Sequence, residues 1–419
     1  MHTLSVHGVQ WSSIVSRLSE VADLDATARQ FGAFQRARKV RNVEELLRLI
    51  FFYGPAHLSL RNTAVAADEA GIACLSDKGV LGRLRKAGDW LEYLLQRLLL
   101  QKQGLGAGTA DGALDLALVD GSVICAPGSK GTDWRLHARF DPGRGVFADL
   151  VLSQGRVGER VDRTKISAGQ TVVQDRGYAR VRDFNAVLAE NADFITRIGW
   201  RSLRLLGADR QPVDVLTLLP GDDQPVEHTV WVKGVKTSLR LVIQRIPPEK
   251  VERQRKKVAR KASKAGHQID PRTSIAAGYL MLVTSLPAAA QPAQRIVAMY
   301  RNRWQVELGF KRLKSIGGID ALPALDPDLA RTWLLAHLIA AVLTDEIAIA
   351  IVGFPPRAHD CATRQMSIWR AWQVARRTLL QAILPTPRRR TKKQLERLRR
   401  QLSEPPRRRQ NQANQLRTS

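Results

Sequence analysis

The stretch Tyr300 to Lys314 (YRNRWQVELGFKRLK) carries side chains suited to phosphate chemistry. Straight-chain helix formers dominate it, and only Gly309 weakens it, so one continuous helix is predicted. At about 100° per residue, Tyr300, Arg303, Glu307, Lys311 and Lys314 fall in one narrow sector. Val306, Phe310 and Leu313 fall in another, which can pack inward. One carboxylate thus sits mid-helix with a phenol and cations above and below it. It can bind a hard divalent metal through oxygen, while the cations and the Tyr hydroxyl hold phosphates in line with that metal. A solvated face of helix-type ion pairs would have the same composition, so the rest of the chain must decide.

Two further acids follow predicted strands. Leu114 to Asp120 reads as a strand ending in Asp-Gly-Ser, and Thr171 to Gln174 as a short apolar strand ending in Asp175. In open α/β sheets that edge is where function collects. With Glu307, these acids would hold two Mg²⁺ ions roughly 3.5–4 Å apart and steady both oxygens at a phosphodiester. Without metal, clustered carboxylates repel, and one tends to keep its proton. Taken singly, each acid has a plainer reading, since Asp at a strand end is often a turn former. Asp115 lies an odd number of residues from Asp120 and points to the opposite face. Asp111 reads as linker, and Asp183 as a first-turn helix acid favourable to the dipole. His137 and Cys125 read as structural.

The elements that must position these acids change along the chain. Residues 1–105 read as helical: Asn42 to Phe52 is a capped helix, Ser59 to Ala70 a second, and Ser76-Asp77 caps a third running through Leu100. Arg83, Arg85 and Lys86 in that third helix suit a DNA-reading helix-turn-helix, and an ordinary helical bundle equally well. A Gly-rich linker (103–112) leads into residues 106–200, where strands at Trp134 to Phe140 and Gly145 to Ser153 are joined by Asp-Pro-Gly. A helix from Arg182 to Glu190 and a strand from Asp193 to Ile198 complete a mixed α/β pattern. Residues 201–288 read as strand-rich (Val213 to Leu218, Glu227 to Lys233, Ser238 to Arg245, Gly278 to Ser285). They include a basic helix, Pro247 to Lys264. The Glu307 helix occupies 289–325, helices at Asp328 to Val352 and Ser367 to Leu384 fill 326–386, and 387–419 reads as a disordered basic tail.

Of 419 residues, 66 are Lys or Arg against 39 Asp or Glu, a net charge of +27. A chain this basic points to a polyanion, nucleic acid first. Cys74, Cys125 and Cys361 form no CxxC pair, which argues against a zinc finger and fits a reducing cytoplasm. The apolar run Trp333 to Leu343 is too short to span a bilayer and reads as a buried helix.

The spacing Tyr300-x2-Arg303-x3-Glu307-x6-Lys314 resembles the YREK signature of bacterial insertion-sequence DDE transposases. Leu118-Val119-Asp120-Gly121-Ser122, Gln174-Asp175-Arg176-Gly177-Tyr178 and Val283-Thr284-Ser285-Leu286 match in the order expected, as does Leu58 to Leu91. The resemblance covers roughly residues 25 to 320. It implies an RNase H-like α/β core interrupted by a β-rich insertion, with helical N- and C-terminal regions. It implies Asp120, Asp175 and Glu307 as metal-binding catalytic residues, with Mg²⁺ or Mn²⁺. Tyr300, Arg303, Lys311 and Lys314 are the expected DNA contacts. It also implies double-stranded transposon ends with inverted repeats, target DNA, a homodimeric synaptic complex and a place on the cytoplasmic nucleoid. Some relatives stack a flipped base on a tryptophan of the insertion; Trp200 and Trp231 are candidates, though core positions suit them too. Competing readings are an RNase H-like nuclease without strand transfer, a catalytically inactive DNA-binding relic, and an RNA-associated basic protein.

Overall fold

A computed structural model describes residues 9–104, 114–129, 131–155, 157–264, 266, 268–352, 367–385 and 396. Cys361, most of the Gly-rich linker and the basic tail, Glu396 excepted, lie outside the described residues. The chain divides into two compact units. One holds the helices of the first 98 residues together with helices after residue 320; the other spans Leu99–Asp320.

In the helical unit, α1 (Trp11–Ser19), α2 (Leu24–Gln30), α3 (Val43–Tyr53), α4 (Leu60–Glu69), α5 (Asp77–Leu84) and α6 (Gly88–Gly104) run in order. Asn42, Ser59 and Ser76 cap α3, α4 and α5 by accepting from Glu45, Asn62 and Gly79 amides, as Ser and Asn do at N-caps. The third helix expected from Ser76 to Leu100 is in fact two. The chain tightens at Arg85–Ala87, where Lys86 and Ala87 amides reach back only three residues, and α6 then runs to Gly104.

The second unit is built on nine strands among the described residues: β1 (Leu116–Ile124), β2 (Trp134–Asp141), β3 (Val146–Gln154), β4 (Thr171–Gln174), β5 (Asp193–Ile198), β6 (Leu205–Leu206), β7 (Val226–Val232), β8 (Leu239–Arg245) and β9 (Tyr279–Thr284). Their order is β3-β2-β1-β4-β5-β9-β8-β7-β6. β1, β4 and β5 are parallel, and α7 (Val181–Ala189) crosses from β4 to β5. The strand-rich segment after residue 200 does not form a sheet of its own. β9 pairs antiparallel with β5 (Ile195 opposite Thr284), so the insertion's strands continue the central sheet. One expected strand, Val213 to Leu218, is instead a 3₁₀ turn at Val215–Leu218, because Asp214 caps it by accepting from the Leu216 amide. The basic segment forms α8 (Pro248–Lys264), followed by the short α9 (Pro271–Ala276).

The signature stretch is also two helices. α10 (Ala293–Arg301) and α11 (Trp304–Ser315) meet at Asn302–Arg303. There the Asn302, Arg303, Gln305 and Val306 amides bond to carbonyls three residues back, at 2.9–3.2 Å. Asn competes for backbone hydrogen bonds and disfavours helix interiors, so the junction tightens at that residue and not at Gly309. Gly309 serves packing instead: a Cβ there would stand 2.7 Å from Cζ of Phe147. The missing side chain lets α11 lie close on β2 and β3, with Phe310 beside Phe147 at 5.9 Å between ring centroids. Val306, Phe310 and Leu313 are buried as their sector predicts, each contributing roughly 1.5–3 kcal/mol.

Back in the helical unit, α12 (Pro327–Val352) and α13 (Ile368–Ile383) pack together. α12 is long and apolar enough to cross a membrane by composition, yet 72% of its most apolar window is buried inside the protein. It is a core helix, with Trp333, Leu334, Ile339 and Leu343 each exposed by 1% or less.

Candidate active site

The site is assembled at the end of the parallel β1–β4 ladder. That ladder runs from Leu116 opposite Thr171 to Val119 opposite Gln174. The next residues in register on the two strands are Asp120 and Asp175. β1 does not stop at Asp120 as expected. It continues to Ile124 because β2 pairs with it antiparallel as far as Trp134. Asp120 is thus held mid-strand on rigid backbone, while Asp175 caps the 3₁₀ turn Arg176–Tyr178 by accepting from the Arg176 amide.

Asp120 is largely buried, and its carboxyl is pushed up to about 6. Burial is the main cause, and the charges of Asp175 and Glu159 add to it against the Gly121 amide and Arg303. Asp120 in β1 and Asp175 just past β4 thus follow the last paired residues of the two strands, and the Asp175 charge adds to the cost of ionising the buried Asp120.

Arg303 joins this pair to the helix. Its Nη1 lies 3.6 Å from Oδ2 of Asp120, and its Nη2 donates to Oε1 of Glu307 at 2.5 Å. The guanidinium is held firmly charged: burial opposes this but is outweighed by Tyr300, Glu307 and Asp120. Tyr300 lies beneath it, 5.9 Å from ring centroid to Cζ. Its hydroxyl is buried beside Arg303, and burial pushes the phenol up against the pull of that cation.

Of the expected site residues, the structure brings Asp120, Asp175, Tyr300, Arg303 and Glu307 to one place. Glu307 projects outward, its side chain 54% exposed, and stays paired with Arg303. Lys314 instead donates from Nζ to the Val123 carbonyl at 3.1 Å, tying α11 to β1. Lys311 is exposed on the same helix. Among the described residues, no three His, Cys, Asp or Glu side chains stand close enough to hold one metal ion. Neither tryptophan of the insertion is exposed. Trp200 is covered by Arg201 and Arg272, whose Cζ atoms lie 4.1 and 4.5 Å from its ring centroid, and Trp231 by Arg210 at 4.9 Å.

The profile of the family described as "Transposase DDE domain" matches residues 112–343 of this chain. The transposase for insertion sequence element IS421 of Escherichia coli is 37% identical over 359 residues, covering 83% of this chain and 96% of that protein. The InsL protein for insertion sequence element IS186A of Escherichia coli K12 is likewise 37% identical over 358 residues, with the same coverage. The transposase for element IS231B of Bacillus thuringiensis is 22% identical over 361 residues, 76% of this chain and 75% of that protein. The chain belongs to the DDE transposase family.

The residues of this transposase fit a hard divalent cation. The donors are carboxylate oxygens, the hard ligands such a cation takes, and the Asp175 and Glu159 charges beside the buried Asp120 carboxyl add a demand for positive charge. Arg303 meets part of that demand in the chain alone.

Sequence reading missed two residues here. Trp304, beside Arg303, is 54% exposed, unusual for so large an apolar side chain. It lies inside the signature stretch, as the first residue of α11. Glu159 sits in a segment with no periodicity, and only the fold brings it beside Gly121 and Gly177.

Proposed function

We propose that this transposase cuts the ends of its element and joins the released 3′-hydroxyl to target DNA, using Asp120, Asp175 and Glu307 as its reacting-centre carboxylates. The observation that carries this is the consecutive register of Asp120 and Asp175, with Arg303 reaching both Asp120 and Glu307. These three acids would hold two Mg²⁺ ions, or Mn²⁺ in their place, which when bound supply charge neutralisation at the scissile phosphate and activation of the attacking oxygen. In the first step water attacks phosphorus and the bond to the 3′-oxygen breaks, leaving a 3′-hydroxyl. In the second, that hydroxyl attacks a target phosphodiester, loses its proton and expels the target strand's own 3′-oxygen.

The chain's side chains orient the DNA. A phosphodiester docking on Arg303 takes guanidinium donors from Glu307 and sets that carboxylate free for the centre; the planar fork suits phosphate as well as it suits carboxylate. Tyr300 packs beneath Arg303 and Lys311 extends along the helix toward the backbone of the element's end. Lys314 contributes by fixing α11 on β1.

In the helical unit, a cleft of about 350 Å³ is lined by Arg36, Arg38, Arg83 and Lys86 and by no acid. Arg38 depresses the Arg83 guanidinium further after burial, so these cations repel one another. Arg85, by contrast, is engaged by Asp326. The cleft is the helical region's contact with duplex phosphates, and the basic tail adds non-specific affinity. Two copies in a synaptic complex on the nucleoid, holding inverted repeats, complete the reading.

A duplex with a labelled 3′-hydroxyl end, incubated with target plasmid and Mg²⁺, tests it. Joined product is expected from the wild type and none from Asp120→Asn, Asp175→Asn or Glu307→Gln, all three still binding DNA. Cleavage without joining would mean a nuclease, and unchanged joining in any variant would remove that acid from the site.

A further inference from the structure

Glu159 lies 39 residues beyond Asp120 and 16 before Asp175, on the connection between β3 and β4. Its carboxylate nevertheless stands against both aspartate-bearing segments. A Cβ built on Gly177 would be 2.6 Å from Oε2 of Glu159, and one built on Gly121 would be 3.2 Å from its Cγ. Neither glycine has a positive φ, so what these positions require is space, not left-handed backbone. Gly121 follows Asp120 directly, and Gly177 is two residues past Asp175.

Glu159 is held from several sides. Oε1 accepts from Nη1 of Arg135 on β2 at 2.5 Å, with both side chains mostly shielded, 29% and 16% exposed. Its backbone carbonyl accepts from Nη1 of Arg180 at 3.2 Å and Nη2 of Arg182 at 3.3 Å, both at the start of α7. Behind it lies Tyr178, 1% exposed, whose hydroxyl makes no hydrogen bond to a described residue. After burial, the charges of Asp120 and Glu159 push that phenol up, and Arg135 opposes them. The hydroxyl is therefore in electrostatic reach of the same three groups.

We propose that Glu159 is a positioning residue of the reaction centre: braced by Arg135, it wedges between Gly121 and Gly177 and fixes how far apart Asp120 and Asp175 sit. Displacing a carboxylate by about 1 Å can cost ~10²-fold in rate, and removing a partner that orients metal ligands costs about 10- to 100-fold in metal affinity or activity. This inference rests on Asp120 and Asp175 being the reacting-centre carboxylates.

The test uses the full-length protein and a labelled duplex spanning one terminal repeat of its element. Glu159→Ala is expected to lower single-turnover cleavage at saturating DNA about 10- to 100-fold and to weaken Mg²⁺ binding, read by calorimetry without DNA, by a similar factor. The KM for DNA and the melting temperature should stay close to wild type. Glu159→Gln keeps the shape and an acceptor for Arg135, so it should retain most of both. Gly177→Ala displaces the flexible end of Glu159 and should reproduce the Glu159→Ala defect, while adding little on top of it, since the two changes act on one and the same interaction.

Wild-type cleavage and Mg²⁺ affinity in Glu159→Ala would overturn the proposal. So would a Glu159→Gln as impaired as Glu159→Ala, because charge and not position would then be at stake. If Asp120→Asn and Asp175→Asn cleave normally, the underlying reading fails instead. If both are dead and Glu159→Ala is normal, only this inference fails.

Discussion

Arg303 donates to Glu307 across one turn at 2.5 Å, and its other terminal nitrogen lies 3.6 Å from Asp120. One guanidinium thus serves the carboxylate of the helix and that of the strand. Removing a preorganised donor of this kind typically costs ~10²–10³ in rate. Arg303→Ala is expected to lose about that much in single-turnover end cleavage. Arg303→Lys should recover little, since a point charge cannot serve two carboxylates or a phosphate bidentately. A lysine variant at wild-type rate would show that the fork geometry is irrelevant.

Gly309 lies where α11 meets the sheet, and an added methyl would stand 2.7 Å from the Phe147 ring. Phe147 is 3% exposed and packed edge-on against Phe140 at 5.4 Å, so it has little room to yield. Gly309→Ala should destabilise the protein by about 1–3 kcal/mol through overpacking, outweighing alanine's better helix propensity, about 1 kcal/mol. Phe147→Leu in the same chain should restore part of the stability. Urea unfolding measures both. A stabilised Gly309→Ala would mean that α11 can slide away from the sheet freely.

What was legible in the sequence follows from how local each signal is. β4 and β5 have the limits expected, since short apolar runs between turn residues define themselves. The pairing of Asp120 with Asp175 was legible as two strand ends, although β1 runs on past Asp120 because β2 supplies its partner. The break at Asn302–Arg303 was missed for a local reason: Asn302 disfavours a helix interior, but Gly309 reads as the weaker point. Glu159 was not legible, since its neighbours are two glycines far away in sequence. Arg36 and Arg38 were equally hidden: they lie on an irregular exposed segment between buried Phe34 and Val40, and only the fold sets them beside Arg83.

That cationic cleft makes a salt-dependent prediction. Removing one cation that neutralises a phosphate should reduce the slope of log affinity against log salt by about 0.9. The triple variant Arg38→Ala, Arg83→Ala, Lys86→Ala should therefore flatten the slope by roughly 2–3 and weaken duplex binding at moderate salt. Arg85→Ala should change the slope little, since Arg85 already pairs with Asp326. Fluorescence anisotropy over a salt series distinguishes the two. Equal slopes for the triple variant and the wild type would exclude the cleft from DNA binding.

His137 on β2, opposite Gly121 across the ladder, gives the folded protein an acid-sensitive point that is not a carboxylate. It is 1% exposed, and its Nε2 lies 2.9 Å from Oγ of Ser153. Burial, reinforced by Arg135 and Arg163, lowers its pKa from 6.5 to about 4. The unfolded chain therefore binds a proton that the folded chain refuses between these values. The associated stability is fully present above about pH 6.5 and is lost as pH falls toward 4. At 1.36 kcal/mol per unit, the decrease is on the order of 3 kcal/mol. His137→Gln keeps a hydrogen-bonding partner for Ser153 but cannot titrate, so its stability should fall less over that window. Urea unfolding at a series of pH values reads the difference. Parallel curves for variant and wild type from pH 7 to pH 4 would mean that His137 titrates as it does in water.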